Sequence, residues 1–170
     1  MSDDLARLLV RDLEALQREL EACPDEDVLW RVVPGITNSI GTLALHCAGN
    51  LRHFVGGVLG GSGYVRERDA EFGRRNVPRA DLIAEIGRAS ADVRAVLPRL
   101  DAEALERPFP IPVAGVRLAT RLFLMHLAVH LGFHLGQAGY LRRVLTGGGT
   151  IKAVMSPAEL SREWGAGSGE

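Results

Sequence analysis

Four stretches of the chain repeat apolar residues every three or four positions, and none of comparable length alternates them every second position. In the first, Leu5, Leu8, Leu9, Leu13, Leu16 and Leu20 recur with arginine and glutamate between them. This spacing predicts an amphipathic helix over about 4–22, capped by Ser2 or Asp3. The second runs from Asn38 or Ser39 to about Leu59, carries Ile40, Leu43, Leu45, His46, Leu51 and Phe54, and stops at Gly60-Gly61-Ser62-Gly63. The third follows Pro78 over about 79–98, with Leu82, Ile86, Ala89, Val93 and Leu97 facing inward. The longest begins near Thr120 and ends before Gly147-Gly148-Gly149. These features predict an all-α four-helix bundle with long crossover connections, one domain over about 1–164.

The connections carry their own signals. Pro24 and Pro34-Gly35 interrupt the chain, and Trp30, Val32 and Val33 between them read as an irregular segment packed on the bundle. Tyr64 to Asn76 is charged and aperiodic, which reads as a loop. Pro108, Pro110 and Pro112 forbid a helix, leaving room for a short extended turn at Ala114-Gly115. A further short helix is expected after Ser156-Pro157, and a disordered tail over 165–170.

Charge and hydropathy remove several classes of function. The net charge is −1, Lys152 is the only lysine, and the arginines are interleaved with acids, as in Arg66-Glu67-Arg68-Asp69. There is no basic stripe of the kind that tracks a phosphate backbone, so no nucleic-acid partner is expected. The most apolar segment, Leu118 to Tyr140, is broken by Arg121, His126, His130, His134 and Gln137, so no membrane association is expected. Cys23 and Cys47 form no C-x-x-C pair, and no signal-peptide pattern opens the chain; both observations point to a reducing cytoplasm.

The five histidines carry the chemical signal. His130 and His134 lie four apart, about 40° around a helix and about 6 Å along it, so both rings can aim at one point. His126 extends the row by four more. Their neighbours are apolar nearly all round the helix, which reads as a central position in the bundle and His126 as a core polar residue. His46, among Leu43, Leu45 and Ala48 on the second helix, completes a three-imidazole set if the second and fourth helices are neighbours. Three neutral imidazoles with an open position suit zinc, and nickel or iron accept the same ligands. Histidines that are merely hydrogen-bonded core residues would show the same periodicity. Asn50, four after His46, and Gln137, three after His134, are candidates to support the ligands or contact a substrate, with His53 and His126 as further polar candidates. No carboxylate shares the histidine faces; Glu67, Asp69 and Glu71 of the Tyr64–Asn76 loop are the nearest sources of a base.

The segment Ser39-Ile40-Gly41-Thr42-Leu43-Ala44-Leu45-His46-Cys47-Ala48-Gly49-Asn50-Leu51-Arg52-His53-Phe54 resembles the second helix of the DinB/YfiT-like superfamily. His130-Leu131-Gly132-Phe133-His134-Leu135-Gly136-Gln137 is similar to that family's H-x-x-x-H followed by Gly-Gln, and Tyr64 to Phe72 fits one of its branches. The resemblance implies a four-helix bundle, often homodimeric, with a divalent metal on His46, His130 and His134. It also implies a group that contains S-transferases using a low-molecular-weight thiol and a thiol-dependent isomerase. The open metal position by itself suits attack on a small electrophilic substrate by either a metal-bound thiolate or a hydroxide, so transfer and hydrolysis are both expected and the resemblance favours transfer. A non-catalytic metal-binding or dimeric bundle, structural or for sensing or storage, is the alternative. One departure stands out: the commoner family form places an arginine after the second histidine, where this chain has Leu135.

Overall fold

A computed structural model of the chain describes residues 1–149 and Leu160, and within them the protein is all-α. The extended backbone there makes only two isolated bridges, Pro108 with Ala119 and Val113 with Val116. Helix α1 spans Ser2–Glu21, α2 Glu26–Trp30 and α3 Ile40–Leu51, which continues as a π-helical segment over Arg52–Leu59. Then follow α4 (Arg68–Gly73), α5 (Arg79–Val96) with a 3₁₀ turn at Leu97–Arg99, α6 (Ala102–Glu106) and α7 (Thr120–Thr146).

The four long segments close a ring: α1 packs against α5 and α7, and α3 packs against the same two from the other side. Leu9, Leu13 and Leu16 of α1 meet Leu43, Leu51, Ile86, Val93, Leu124 and Leu131 in the core, all almost fully buried. Burying side chains of this size stabilises the fold by about 1.5–3 kcal/mol each before ordering costs. A buried ion pair, Arg142 with Glu19, adds a polar tie between α7 and α1.

Local chemistry explains the ends. Asp3 and Asp4 lie in the first turn of α1, where the helix dipole favours negative charge. Ser2 is already helical and Met1 is the N-cap, without a side-chain cap bond, so neither expected residue caps this helix. The Ser39 hydroxyl accepts the Thr42 amide and starts α3. Gly147, at φ +79°, ends α7 in the left-handed conformation that glycine adopts without steric cost.

Three short helices replace segments that read as irregular. Asp25 accepts the Val28 amide and Asp101 the Ala104 amide, and these caps support α2 and α6. Trp30 and Val33 pack on the core as expected, while Val32 is exposed. The charged stretch after Tyr64 is extended at first and then turns into α4, which packs against α3. The turn at Ala114-Gly115 is present: both residues have positive φ, and Val113 and Val116 exchange backbone hydrogen bonds of 2.9 Å. The expected helix after Ser156-Pro157 (Leu160 apart) and the tail at 165–170 lie outside the described residues.

Helix α7 is not central on every side. Leu122, Met125, Val129, Phe133, Tyr140 and Val144 are 46–72% exposed and share one face. Among the described residues no helix is long and apolar enough to cross a membrane.

Candidate metal centre

Packing of α3 on α7 brings His46 opposite His130 and His134. The Nε2 atom of His130 lies 3.2 Å from Nε2 of His46 and 3.2 Å from Nε2 of His134. Tetrahedral ligands about 2.0–2.1 Å from a zinc ion stand about 3.3 Å from one another, so this spacing fits a shared cation.

The outer nitrogens decide which tautomers face inward. His46 Nδ1 is 3.0 Å from Glu71 Oε2, and since a carboxylate only accepts, the Nδ1–H donates to it. His134 Nδ1 likewise donates to Gln137 Oε1, at 2.7 Å. Both rings therefore point an unprotonated Nε2 at His130, whose single Nε2 can supply at most one proton between them. Three nitrogens held this close with two lone pairs fixed inward match the donor set of a metal site, where carboxylate or carbonyl partners set the tautomer and raise basicity. The cluster could hold a metal ion.

Glu71 is itself held firmly. Arg66 donates to its Oε1 at 2.6 Å and its Oε2 at 2.7 Å, a bidentate clamp. Burial alone would raise the Glu71 carboxyl, but the hydrogen bonds from Arg66 and His46 outweigh it and hold the group below its ordinary range. Arg66 Nη2 also comes within 3.3 Å of His46 Nδ1, but both are donors there, so the proton on Nδ1 serves Glu71. Sequence reading had named Glu71 only as one of three loop carboxylates; the partnership with His46 spans 25 residues and needs the α3–α4 packing to appear. The clearest signal for it was the Tyr64–Phe72 resemblance, which contains both Arg66 and Glu71.

The cluster opens into a cavity of about 410 Å³. Phe54 and Phe123 form part of its wall, 4.8 Å apart and edge to face, backed by the buried Phe109. Phe72 closes another side against His46, with ring centroids 4.8 Å apart. Asn50 is buried and lines the cavity, and among the described residues its amide has no hydrogen-bond partner. His126 also lines it, and is exposed rather than a core residue, because its neighbour Leu122 faces outward. Its ring stacks on Phe123 and lies 6.0 Å from His130.

His53 does not join this group. The π-helical segment takes an extra residue per turn, which shifts the face aligned with His46 from residue 53 to residue 54. Phe54 thus enters the cavity, and His53 packs beside it with Nδ1 buried and unpaired. Cys47 points away from the cluster into the core, where burial pushes its thiol up to about 12.

A family model described as the DinB superfamily matches residues 8–138. The chain belongs to the DinB superfamily. A comparison with curated proteins finds no match. The matched range contains all of the family-like histidine positions, His46, His130 and His134.

Burial, and then the nearby His134, His46 and His126, push His130 down to about 4 from an ordinary 6.5. Between those values the unfolded chain binds a proton that the folded chain refuses, so this contribution is complete above about pH 6.5 and is lost as pH falls towards 4. In the presence of a chelator, the unfolding free energy from urea titrations should fall across this window by about 1–2 kcal/mol after allowance for solvent screening, and by less in His130→Gln. Parallel curves for the two proteins would rule out a displaced His130.

Proposed function

We propose that the chain is a metal-dependent enzyme that joins a low-molecular-weight thiol, or water, to a small electrophilic molecule. The observation that carries this reading is the convergence of three Nε2 atoms on one wall of an open, aromatic-lined cavity. A closed structural site would surround its ion with protein ligands, whereas here the three nitrogens leave the cavity side free.

His46, His130 and His134 would hold the ion, which would supply Lewis acidity that lowers the pKa of a thiol or water in the cavity. Glu71 orients His46 and Gln137 orients His134. His126, the one histidine that lines the cavity without joining the cluster, accepts the proton of the thiol or water as its sulfur or oxygen bonds to the electrophilic carbon. The electrons of the broken bond leave with the departing group. The aromatic wall of Phe54 and Phe123 holds the apolar part of the substrate and keeps bulk water out.

The test is metal content of tag-free protein by mass spectrometry, followed by panels of thiols with activated aryl halides and epoxides, and of esters for hydrolysis. About one metal per chain with turnover in either panel supports the proposal, and His126→Gln should then keep the metal and lose turnover. Metal without turnover in any panel favours a non-catalytic binding role. No metal after zinc and nickel are offered returns the histidines to the core.

A second observation favours self-association. The exposed face of α7 carries no charged residue between Arg121 and Arg142, and Gly132 and Gly136 border its large residues. An antiparallel pair of α7 helices centred between residues 132 and 133 sets Phe133 over Gly132 of the second copy, Val129 over Gly136 and Met125 over Tyr140. We propose a homodimer along this face. Light scattering should give twice the chain mass, and Phe133→Glu should give a folded monomer; a monomeric native protein rejects this face as an interface.

A further inference from the structure

The cavity beside the histidines carries groups that the metal cluster does not use. Asn50, 8% exposed, faces it with an amide that has no partner among the described residues. The amide is open to the solvent of the cavity, so a ligand's polar atom can take the place of water there without breaking a bond within the protein.

Arg68 is the second such group. Arg66, just before α4, and Arg68, its first residue, line the cavity, while Glu67 between them lines a separate pocket with Arg52 and Glu85. Arg66 already has its charge paired by Glu71, through Nε and Nη2. Arg68 has no carboxylate partner among the described residues; its guanidinium lies 5.1 Å from the centroid of Phe72, which itself packs on His46. Stacking on a ring restrains the guanidinium plane while leaving its N–H fork free to grip a carboxylate. No acidic side chain lines the cavity, so nothing there competes for this cation.

We propose that the cavity takes a small molecule with an anionic head group, a carboxylate being the best match, on an apolar or aromatic body. The head group pairs with Arg68, the body lies against Phe54 and Phe123, and a polar atom nearer the histidines meets the Asn50 amide. This deepens the enzyme reading, since it describes the substrate of that same chamber, but the anion contact needs no metal.

Phenylacetate and its neutral counterpart phenylacetamide are suitable probes, titrated into the full chain by calorimetry or ligand-detected NMR. The titration is run with a chelator, so that carboxylate binding to an ion cannot imitate the effect, and repeated with zinc. Phenylacetate should bind about tenfold more tightly than the amide, as expected for a charge-assisted pair. Arg68→Gln should erase that preference with an unchanged melting temperature, because the side chain is exposed. Asn50→Ala should weaken both probes alike. Equal affinity for the two probes, a preference that survives in Arg68→Gln, or no binding of either at millimolar concentration overturns the proposal. The metal reading fails separately, through metal content alone.

Discussion

His130→Ala should fold and take up no divalent metal, against about one per chain in the unaltered protein. His130 is the hinge of the cluster, since its Nε2 is the atom 3.2 Å from both others. Without it, His46 and His134 offer two ligands from different helices, too few for a site that needs three protein donors. The fold should survive because the His130 ring borders a cavity already open to solvent, so truncation creates no sealed void. The contrast lies one residue away: Leu131 is 2% exposed in the core, and Leu131→Ala should cost about 2–5 kcal/mol by urea denaturation. That variant should still bind metal while folded. Mass spectrometry and denaturation on the two variants separate ligand from core residue, and metal retained in His130→Ala would refute the three-histidine site.

The difference between these neighbours also marks what could be read from the sequence. Spacing of three and four placed α1, α3, α5 and α7, because each is long enough for its period to exceed noise. The same spacing put His130 and His134 on one face, and His46 joined them once α3 packed on α7. Helices α2, α4 and α6 have five or six residues, too few to show a period. His126, read as a core residue, lines the cavity, and His53, a candidate contact, does not, for different reasons. An apolar residue such as Leu122 or Phe133 looks the same in a sequence whether it faces the core or an exposed flank, so the burial of His126 could not be judged. His53 was displaced by the π-helical winding after Leu51, which an even 100° step does not anticipate. The cap of α1 failed on a smaller scale, since helix starts shift by a residue or two without changing the pattern.

The least legible part of the site, the Glu71 support of His46, gives the second large effect. Glu71→Gln should weaken metal binding about 10–100-fold, the usual cost of losing a carboxylate behind a ligating histidine. Gln keeps the shape but not the charge, so it polarises the imidazole less and leaves the Arg66 guanidinium without its counter-charge. Gly49→Ala should reach a similar result by another route. A Cβ at position 49 would stand 2.9 Å from the Glu71 carboxyl carbon and closer still to Oε1, so the carboxylate must move. The buried carboxylate is clamped by Arg66 and bonded to His46, so moving it disturbs the metal site and also costs some stability. Competition titrations against a chromogenic zinc chelator, run at a temperature where both variants are folded, should therefore show weakened binding in each. If Glu71→Gln binds metal as the parent does, the carboxylate does not act on the ligand through His46 and is a structural partner of Arg66 only. Weakened binding in both variants would instead show that α4, though only six residues long, is the element that sets the ligand's tautomer.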